Sequence, residues 1–385
     1  MTRTRKLALG LLVAFGVLTV AEVGHHLALG PPPTPFHVAR VSGTALVDEG
    51  ETMRLAHAVD PAMDIRVDKA HTRPRVITLG GSSVRNPGPP ENNWPQPLQK
   101  AHPELDVVNL ASPGQTMSGL ANLVQQIEPL RPDLIIVYSG HNDLSQVVFS
   151  GSVSAHRGWR LRVWKVLGMS WLAWYFTPEG NAELMDPNRR AGLMFATDDA
   201  ALKAHDALIE RYEADLRELL ERAPAPVLLT TLVRNFDQSP QGLLTTDPAC
   251  REVASAVPTN QPDRPAERSR ELNAACGDTA LGAWLDAHAA TDPDQALALW
   301  HRSLRMDPFP LRATPEVDDA LRRVAQETGT PLVDLEAELG RFGRNASFID
   351  TLHPSRQGAR DIAEALGDEV RRLTSTPAGS PPAGR

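Results

Sequence analysis

Three polar residues, one early in the sequence and two near its end, are of the types that nucleophilic acyl transfer uses. Ser82 follows two glycines at the end of a short apolar run. Asp350 and His353 are three residues apart, a spacing at which a carboxylate can hold the imidazole Nδ1–H while Nε2 faces another group. An imidazole held in this way can take the proton of a serine hydroxyl. The pattern therefore indicates a serine nucleophile with a histidine base.

Each of these features also has an ordinary interpretation when it is taken alone. An apolar run that ends in Gly-Gly-Ser is also a common strand-to-loop turn, and Asp-x-x-His also occurs as a metal-ligand pair or a helix cap. Neither a His-Glu-x-x-His sequence nor a carboxylate cluster accompanies the pair. We therefore predict no metal site and no organic cofactor.

Five short apolar segments predict the strands of a parallel sheet, because helical patterns alternate with them along the chain. These segments are residues 76–79, 106–110, 133–138, 227–233 and 331–335. Ser82, Gly114, Asn142 and the Asp350/His353 pair each follow one of these strands. Since parallel strands end at the same edge of a sheet, we expect one crevice to hold all five residues.

An oxyanion forms when a serine attacks an ester carbonyl. The predicted donors to it are the backbone N–H groups of Ser82 and Gly114 and the side-chain amide of Asn142. Losing one such donor raises the barrier by about 3 to 4 kcal/mol, so we expect the three to lie around one position beside the nucleophile.

The helices and the first part of the domain are predicted less completely. One helix is expected to start near Trp94 with Asn92 or Asn93 as its N-cap, and others are expected over residues 117–128 and 203–223. Residues 36–74 are expected to lie along the edge of the domain, without assigned elements.

The motif-bearing segments together resemble the sequence blocks of the SGNH hydrolases, also called GDSL-like lipases and esterases. In this chain the blocks read L-G-G-S-S around Ser82, N-L-A-S-P-G ending at Gly114, S-G-H-N-D around Asn142, and D-T-L-H-P from Asp350 to Pro354. Each block is short, but the four occur in the family's order. Their combination is therefore a much more specific signal than any one of them.

The resemblance implies both a fold and an activity. The fold is a flavodoxin-like three-layer α/β/α sandwich with a five-stranded parallel sheet, in a domain of residues 36–373 with an insert at residues 237–310. The activity is hydrolysis of a carboxylic ester, with Ser82 as nucleophile, His353 as base and Asp350 as the group that orients it. The expected substrate is a small-molecule, glycan or lipid ester, such as an acylated component of the cell envelope. O-acyl transfer to a sugar hydroxyl, as in some relatives, and a non-catalytic binding module are the alternatives.

One residue departs from the family pattern. The family's Gly-Asp-Ser reads Gly-Gly-Ser here, with Gly81 in place of the acid. Because that acid takes no part in the proton relay, we expect the chemistry to be retained.

The insert at residues 237–310 contains both cysteines of the chain and a helical pattern. Cys250 and Cys276 are expected to pair in an oxidising compartment, which would stabilise the fold by about 3 to 4 kcal/mol by restricting the unfolded chain. Residues 281–308 resemble one tetratricopeptide-type helical hairpin. A lone hairpin cannot bury both of its faces. We therefore expect it to pack on the sheet domain, as a lid or as a surface that binds a protein partner.

Three polar residues flank the insert. Arg234 and Asn235 follow the fourth predicted strand, and Arg312 follows the insert. They are candidate substrate contacts. The alternative, which the sequence favours, is that they are solvated surface residues.

Both ends of the chain and one internal segment carry further signals. Residues 1–35 combine three cationic residues, an apolar stretch and a proline-rich linker, which predicts a membrane signal anchor or a cleaved signal peptide. Either one places the domain outside the cytoplasm, in the envelope or secreted. Residues 156–176 hold four of the seven tryptophans, which fits a membrane-interface segment, a cover over an acyl-binding cleft, or a core helix. Residues 374–385 are predicted to be a disordered tail. The net charge of −8 makes nucleic acid an unexpected partner.

Overall fold

The computed structural model describes residues 18, 19, 23, 45–56, 64–86, 89–144, 198–240, 247–308, 310–339 and 345–375. All but the first three belong to one structural unit, formed by residues 43–153 together with 187–385. The tryptophan-rich segment and most of the predicted N-terminal and C-terminal segments lie outside the described residues. Among the helices of the described ranges, none is long and apolar enough to cross a bilayer.

Eight strands form two sheets in the described part of the chain. They are β1 (Ala45–Asp48), β2 (Thr52–Ala56), β3 (Ile65–Asp68), β4 (Arg75–Gly80), β5 (Asp106–Asn109), β6 (Leu134–Tyr138), β7 (Val227–Thr230) and β8 (Leu332–Val333). Strands β1 to β3 form an antiparallel sheet, and β4 to β8 form a parallel sheet in the order β5-β4-β6-β7-β8. Counted along the chain, the parallel sheet has the order 2-1-3-4-5 of flavodoxin-like folds. The predicted fold class is confirmed.

The two central strands of the parallel sheet are buried on both faces. Every residue of β4 and of β6 is buried, as expected for apolar runs that helices cover on each side. Gly80 at the end of β4 lies opposite Tyr138 at the end of β6. The loops that follow these two strands, which carry Ser82 and Asn142, therefore begin at the same level of the sheet.

Residues 141–144 form a helical turn, and ten α-helices have both ends among the described residues. They are α1 (Pro95–Ala101), α2 (Met117–Leu123), α3 (Asp198–Arg222), α4 (Pro248–Ser255), α5 (Pro265–Cys276), α6 (Ala280–Ala289), α7 (Pro293–Met306), α8 (Pro315–Thr328), α9 (Leu335–Leu339) and α10 (Arg356–Ser375). Helices α1 and α10 pack together on one side of the parallel sheet, and α2, α3 and α8 form the layer on the other side. The result is a three-layer sandwich around one hydrophobic core.

Two helix predictions need correction. Helix α1 begins at Pro95 after Trp94, and neither Asn92 nor Asn93 caps it. The Asn93 side chain instead accepts a hydrogen bond from the Asn86 backbone N–H at 2.6 Å, which closes the loop before the helix. The helix predicted over residues 117–128 ends at Leu123 and continues as a 3₁₀ helix over Val124–Leu130, which contains Pro129. Proline has no N–H, and its ring clashes with the carbonyl group four residues before it, so an α-helix does not continue through Pro129.

The sequence analysis assigned no elements to residues 36–74, where the structure places β1, β2 and β3. The buried side chains of Met53 and Leu55 alternate with more exposed neighbours along β2, and Val67 of β3 is buried beside them. This period-two pattern is five residues long in β2. Such short strands are hard to distinguish from a loop by pattern alone.

The insert folds into helices α4 to α7, which bury a small hydrophobic cluster of their own. The Trp284 indole N–H of α6 donates to the Phe236 carbonyl oxygen at 2.8 Å. The Trp300 ring of α7 stacks on the Phe236 ring, with 5.0 Å between the ring centroids. Phe236 lies on the segment that follows β7. The hairpin therefore buries its inner face against α4, α5 and the chain that leaves the parallel sheet. Cys250 of α4 and Cys276 of α5 form a disulfide bond.

Replacing both cysteines (Cys250→Ala with Cys276→Ala) should lower the free energy of unfolding by about 3 kcal/mol, because the bond closes a loop between residues 26 positions apart. Thermal unfolding of the wild type, with and without a reductant, should show the same loss. The double variant serves as the control, since its unfolding should not respond to the reductant. An unfolding temperature of the wild type that does not change on reduction would contradict the prediction.

Candidate active site

Ser82 lies on a tight helical turn at the carboxyl end of β4. The backbone N–H groups of Val84 and Arg85 both donate to the Gly81 carbonyl oxygen at 3.1 Å. A Cβ on Gly80 would lie 2.2 Å from the Tyr138 carbonyl oxygen, so only glycine fits where the chain leaves the sheet. The turn therefore presents the Ser82 hydroxyl above the edge of the sheet.

The structure brings Ser82, His353 and Asp350 together in one hydrogen-bonded chain. His353 Nε2 lies 2.7 Å from Ser82 Oγ, and His353 Nδ1 lies 2.6 Å from Asp350 Oδ2. The His353 side chain is 19% exposed, so a substrate can reach the imidazole. This geometry suits proton transfer from the hydroxyl to the imidazole.

The Asp350 carboxylate is held by backbone groups as well as by the imidazole. Its Oδ1 accepts hydrogen bonds from the N–H groups of Leu352 at 2.9 Å and His353 at 2.8 Å. Partial burial alone would raise the pKa of Asp350, but the hydrogen bonds from the His353 ring and from these two backbone groups outweigh it and lower the pKa. Asp350 therefore stays ionised and keeps the Nδ1 proton of His353 directed at itself.

Asn142, one of the two other predicted oxyanion donors, lies in a helical turn over residues 141–144 that contacts the loop of the second donor, Gly114. Asn142 Nδ2 donates to the Gln115 carbonyl oxygen at 2.9 Å, which ties the Asn142 amide to the loop that contains Gly114. Gly114 has a φ of +78°, a conformation that favours glycine and sets the direction of the neighbouring peptide groups. A Cβ on Gly81 would lie 2.3 Å from Asn142 Nδ2. The Asn142 amide therefore packs directly against the residue that precedes Ser82.

The environment of Gly81 leaves no room for a side chain in this structure. In this chain the space that a side chain would need is filled by the Asn142 amide. An aspartate at position 81 would have to displace that amide from its hydrogen bond to Gln115.

His141 is a site residue that the sequence analysis did not assign. It is buried, and its Nδ1 accepts a hydrogen bond from the Ala313 backbone N–H at 3.0 Å. Burial, the Arg234 guanidinium and the His353 ring lower the pKa of His141 well below its usual value. His141 is therefore neutral, with its proton on Nε2. Its contact with Ala313 joins residues 172 positions apart, so no local pattern could have revealed it.

The structure corrects the interpretation of Arg234 and Arg312 as solvated surface residues, because each is buried. The Arg234 guanidinium forms ion pairs with Asp318 of α8 and Glu336 of α9. The Arg312 guanidinium donates to backbone carbonyl oxygens, including that of Asn235. With their donors directed into the protein, neither arginine is placed as a substrate contact.

Asn235 is also buried, and it contacts the loop that carries the Asp350/His353 pair. Its side-chain Nδ2 donates to the Asp350 carbonyl oxygen at 2.9 Å, and its backbone N–H donates to the Thr351 carbonyl oxygen at 3.1 Å. Asn235 therefore holds this loop in place and does not face the crevice as a substrate contact. In the described ranges, no group of three or more His, Cys, Asp or Glu side chains is arranged to hold a metal ion.

Comparison with known families identifies the family of this chain. The sequence matches the model of the GDSL-like Lipase/Acylhydrolase family over residues 77–309, more than half of the chain, and the protein belongs to this family. The match ends before Asp350 and His353, so the placement of those two residues rests on the structure. A search of curated proteins found no significant match.

Solved structures of lipolytic proteins are similar to this chain at low identity. A lipase/acylhydrolase from Enterococcus faecalis is 12% identical, with 78% of this chain and 96% of that chain covered and a TM-score of 0.34. A member of the lipolytic protein G-D-S-L family from Veillonella parvula is 12% identical, with 77% and 98% covered and a TM-score of 0.35. The structure of TesA is 16% identical, with 78% and 99% covered and a TM-score of 0.31.

Gly81→Ala should lower kcat for a p-nitrophenyl ester at least about tenfold, because the new Cβ displaces the Asn142 amide from its place beside Ser82. Steady-state kinetics of Gly81→Ala, Asn142→Ala and the double variant measure the effect. If Gly81→Ala acts through the amide, it should add little in the Asn142→Ala background. An equal loss in both backgrounds would contradict this explanation.

Asp143 should make the stability of the protein depend on pH. Its Oδ1 accepts from the Met117 N–H at 2.9 Å, but its buried Oδ2 has no hydrogen-bond partner among the described residues. Burial raises the pKa of Asp143 from 3.8 to about 7. The folded state therefore holds a proton that the unfolded state releases, and this contribution to stability is lost as the pH rises from about 4 to 7.

Asp143→Asn removes this ionisation, so the stability of the variant relative to that of the wild type should increase as the pH rises. The difference in unfolding free energy should shift by roughly 3 kcal/mol in favour of the variant between pH 4 and pH 8. Urea unfolding of both proteins at several pH values measures it. A difference that is the same at pH 4 and pH 8 would show that Asp143 does not titrate in this way.

Proposed function

We propose that this protein is a serine hydrolase that cleaves a carboxylic ester through an acyl-enzyme on Ser82. The observation that carries the proposal is the placement of the His353 imidazole between Ser82 Oγ at 2.7 Å and the Asp350 carboxylate at 2.6 Å. Membership of the GDSL-like Lipase/Acylhydrolase family supports the same reaction class.

In the first half of the reaction, Ser82 Oγ attacks the ester carbonyl carbon while His353 Nε2 takes the hydroxyl proton. The negative charge of Asp350 stabilises the imidazolium that forms. The ester carbonyl oxygen becomes an oxyanion, and the N–H groups of Ser82 and Gly114 and the Asn142 amide donate to it. Collapse of the intermediate expels the alcohol, which receives the proton from His353. In the second half, His353 activates a water molecule that cleaves the acyl-enzyme and restores Ser82.

The substrate that we propose is an acylated glycan or lipid of the cell envelope. The disulfide bond between Cys250 and Cys276 supports an oxidising compartment, because such bonds are rare in the cytosol. The basic and apolar residues at the start of the sequence support export.

Ser82→Ala and His353→Ala should each lower kcat for p-nitrophenyl acetate and butyrate by at least about a thousandfold, because each removes one half of the nucleophile and base pair. Release of p-nitrophenol measures turnover, and circular dichroism shows that the variants fold. Ser83→Ala and His71→Ala are matched controls, and both should retain activity. If Ser82→Ala turned over esters at the wild-type rate, the proposed nucleophile would be refuted. If the wild-type protein turned over no ester, a binding module would be favoured.

A further inference from the structure

We propose that Arg312 and Asn235 are positioning residues for the Ser82 reaction, and that through them the inner face of the helical insert supports the loop that carries Asp350 and His353. The insert is followed by a return segment, residues 310–314, that leads from α7 into α8. This inference rests on the proposed function, since it concerns the same triad. It replaces the expectation that the insert is only a lid or a docking surface.

Arg312 holds the chain segment between Asn235 and Gln238. Its guanidinium donates to the carbonyl oxygens of Asn235 and Gln238, the latter at 2.8 Å, and its side chain is 3% exposed. Two carbonyl oxygens buried in this way need donors, and one planar cation supplies both. The arginine therefore fixes the path of the chain between Asn235 and Gln238.

Asn235 passes this constraint to the loop that carries Asp350 and His353. Its side-chain Nδ2 donates to the Asp350 carbonyl oxygen and its N–H to the Thr351 carbonyl oxygen. Its own Oδ1 accepts from the Asp237 N–H at 3.1 Å, which fixes the orientation of the amide. Every polar group of Asn235 named here points at backbone, so the residue is a fixed support for the loop that carries Asp350 and His353.

The same return segment also contacts the opposite side of the crevice. The N–H of Ala313, the residue after Arg312, donates to Nδ1 of His141 at 3.0 Å. His141 precedes Asn142, the predicted side-chain donor to the oxyanion. Two adjacent residues of the return segment thus contact both sides of the site. Arg312 acts through Asn235 on the loop that carries Asp350 and His353, and Ala313 holds the helical turn that carries Asn142. Together they set the spacing between the two.

The insert anchors the contacts of Asn235. Trp284 and Trp300 of the insert hold Phe236 by a hydrogen bond to its carbonyl oxygen and by ring stacking. Phe236 is the residue after Asn235. The insert therefore holds the chain directly beside the Asn235 contacts, while the return segment that follows it supplies Arg312. A catalytic group that moves by about an ångström can lose roughly a hundredfold in rate, so this support has a kinetic consequence.

Arg312→Gln, Arg312→Lys and Asn235→Ala test the inference in the full-length protein. We expect kcat for p-nitrophenyl butyrate to fall at least about tenfold in Arg312→Gln and Asn235→Ala, with KM within about twofold of the wild type. Arg312→Lys keeps a cationic donor and should recover part of the lost rate. Arg302→Gln, which removes an exposed arginine of α7 that pairs with Asp278, is the matched control and should leave kcat unchanged.

Labelling with a fluorophosphonate separates positioning from partial unfolding. In the positioning variants, labelling should still reach one adduct per chain, but with a rate constant reduced in parallel with kcat. A variant that is merely misfolded would lose amplitude and keep the rate. Should Arg312→Gln fail to fold, Asn235→Ala and Arg312→Lys decide the question.

The outcomes distinguish this inference from the proposed function. A wild type that neither turns over esters nor reacts with the fluorophosphonate refutes the proposed function. If the wild type is active but kcat is unchanged in Asn235→Ala and Arg312→Lys, only the positioning role is overturned. The same holds if a lower extent of fluorophosphonate labelling wholly accounts for the loss of kcat in these variants.

Discussion

The hydrogen-bonded chain from Asp350 through His353 to Ser82 is the interaction on which the functional account depends. It joins side chains that are 271 residues apart in the sequence. Such a contact requires that the first and last parts of the domain end at the same edge of the sheet. The parallel order 2-1-3-4-5 provides this, and the complete burial of β4 and β6 makes the edge rigid. A displacement of either loop by an ångström would break proton transfer.

The loops around this chain are held by polar contacts to backbone, and few of them depend on hydrophobic packing. The Asn142 amide is tied to Gln115, His141 to Ala313, and Asn235 to the Asp350 loop. Hydrogen bonds fix both distance and direction, so they suit a site whose groups must be aligned before the substrate arrives. The absence of a side chain at Gly81 belongs to the same design, because the Asn142 amide occupies that space.

Sequence reasoning predicted what local patterns encode. The apolar runs gave the five parallel strands, and the positions of Ser82, Gly114, Asn142 and the Asp350/His353 pair after those strands gave the crevice. It was wrong to favour Arg234 and Arg312 as solvated surface residues. The groups that pair with them, such as Asp318 for Arg234, come from other parts of the chain. The role of His141 was equally hidden, since Ala313 lies beyond the whole insert. Buried polar contacts between distant segments are what a single sequence does not display.

Peptide mapping of the fluorophosphonate-treated protein by mass spectrometry tests the central claim most directly. Ser82 and Ser83 are adjacent, but only the Ser82 hydroxyl lies beside the His353 imidazole, and Ser83 is buried. The account predicts one adduct per chain, with fragment ions that assign it to Ser82. An adduct on Ser83 or on any other residue, or no adduct at all, would contradict it.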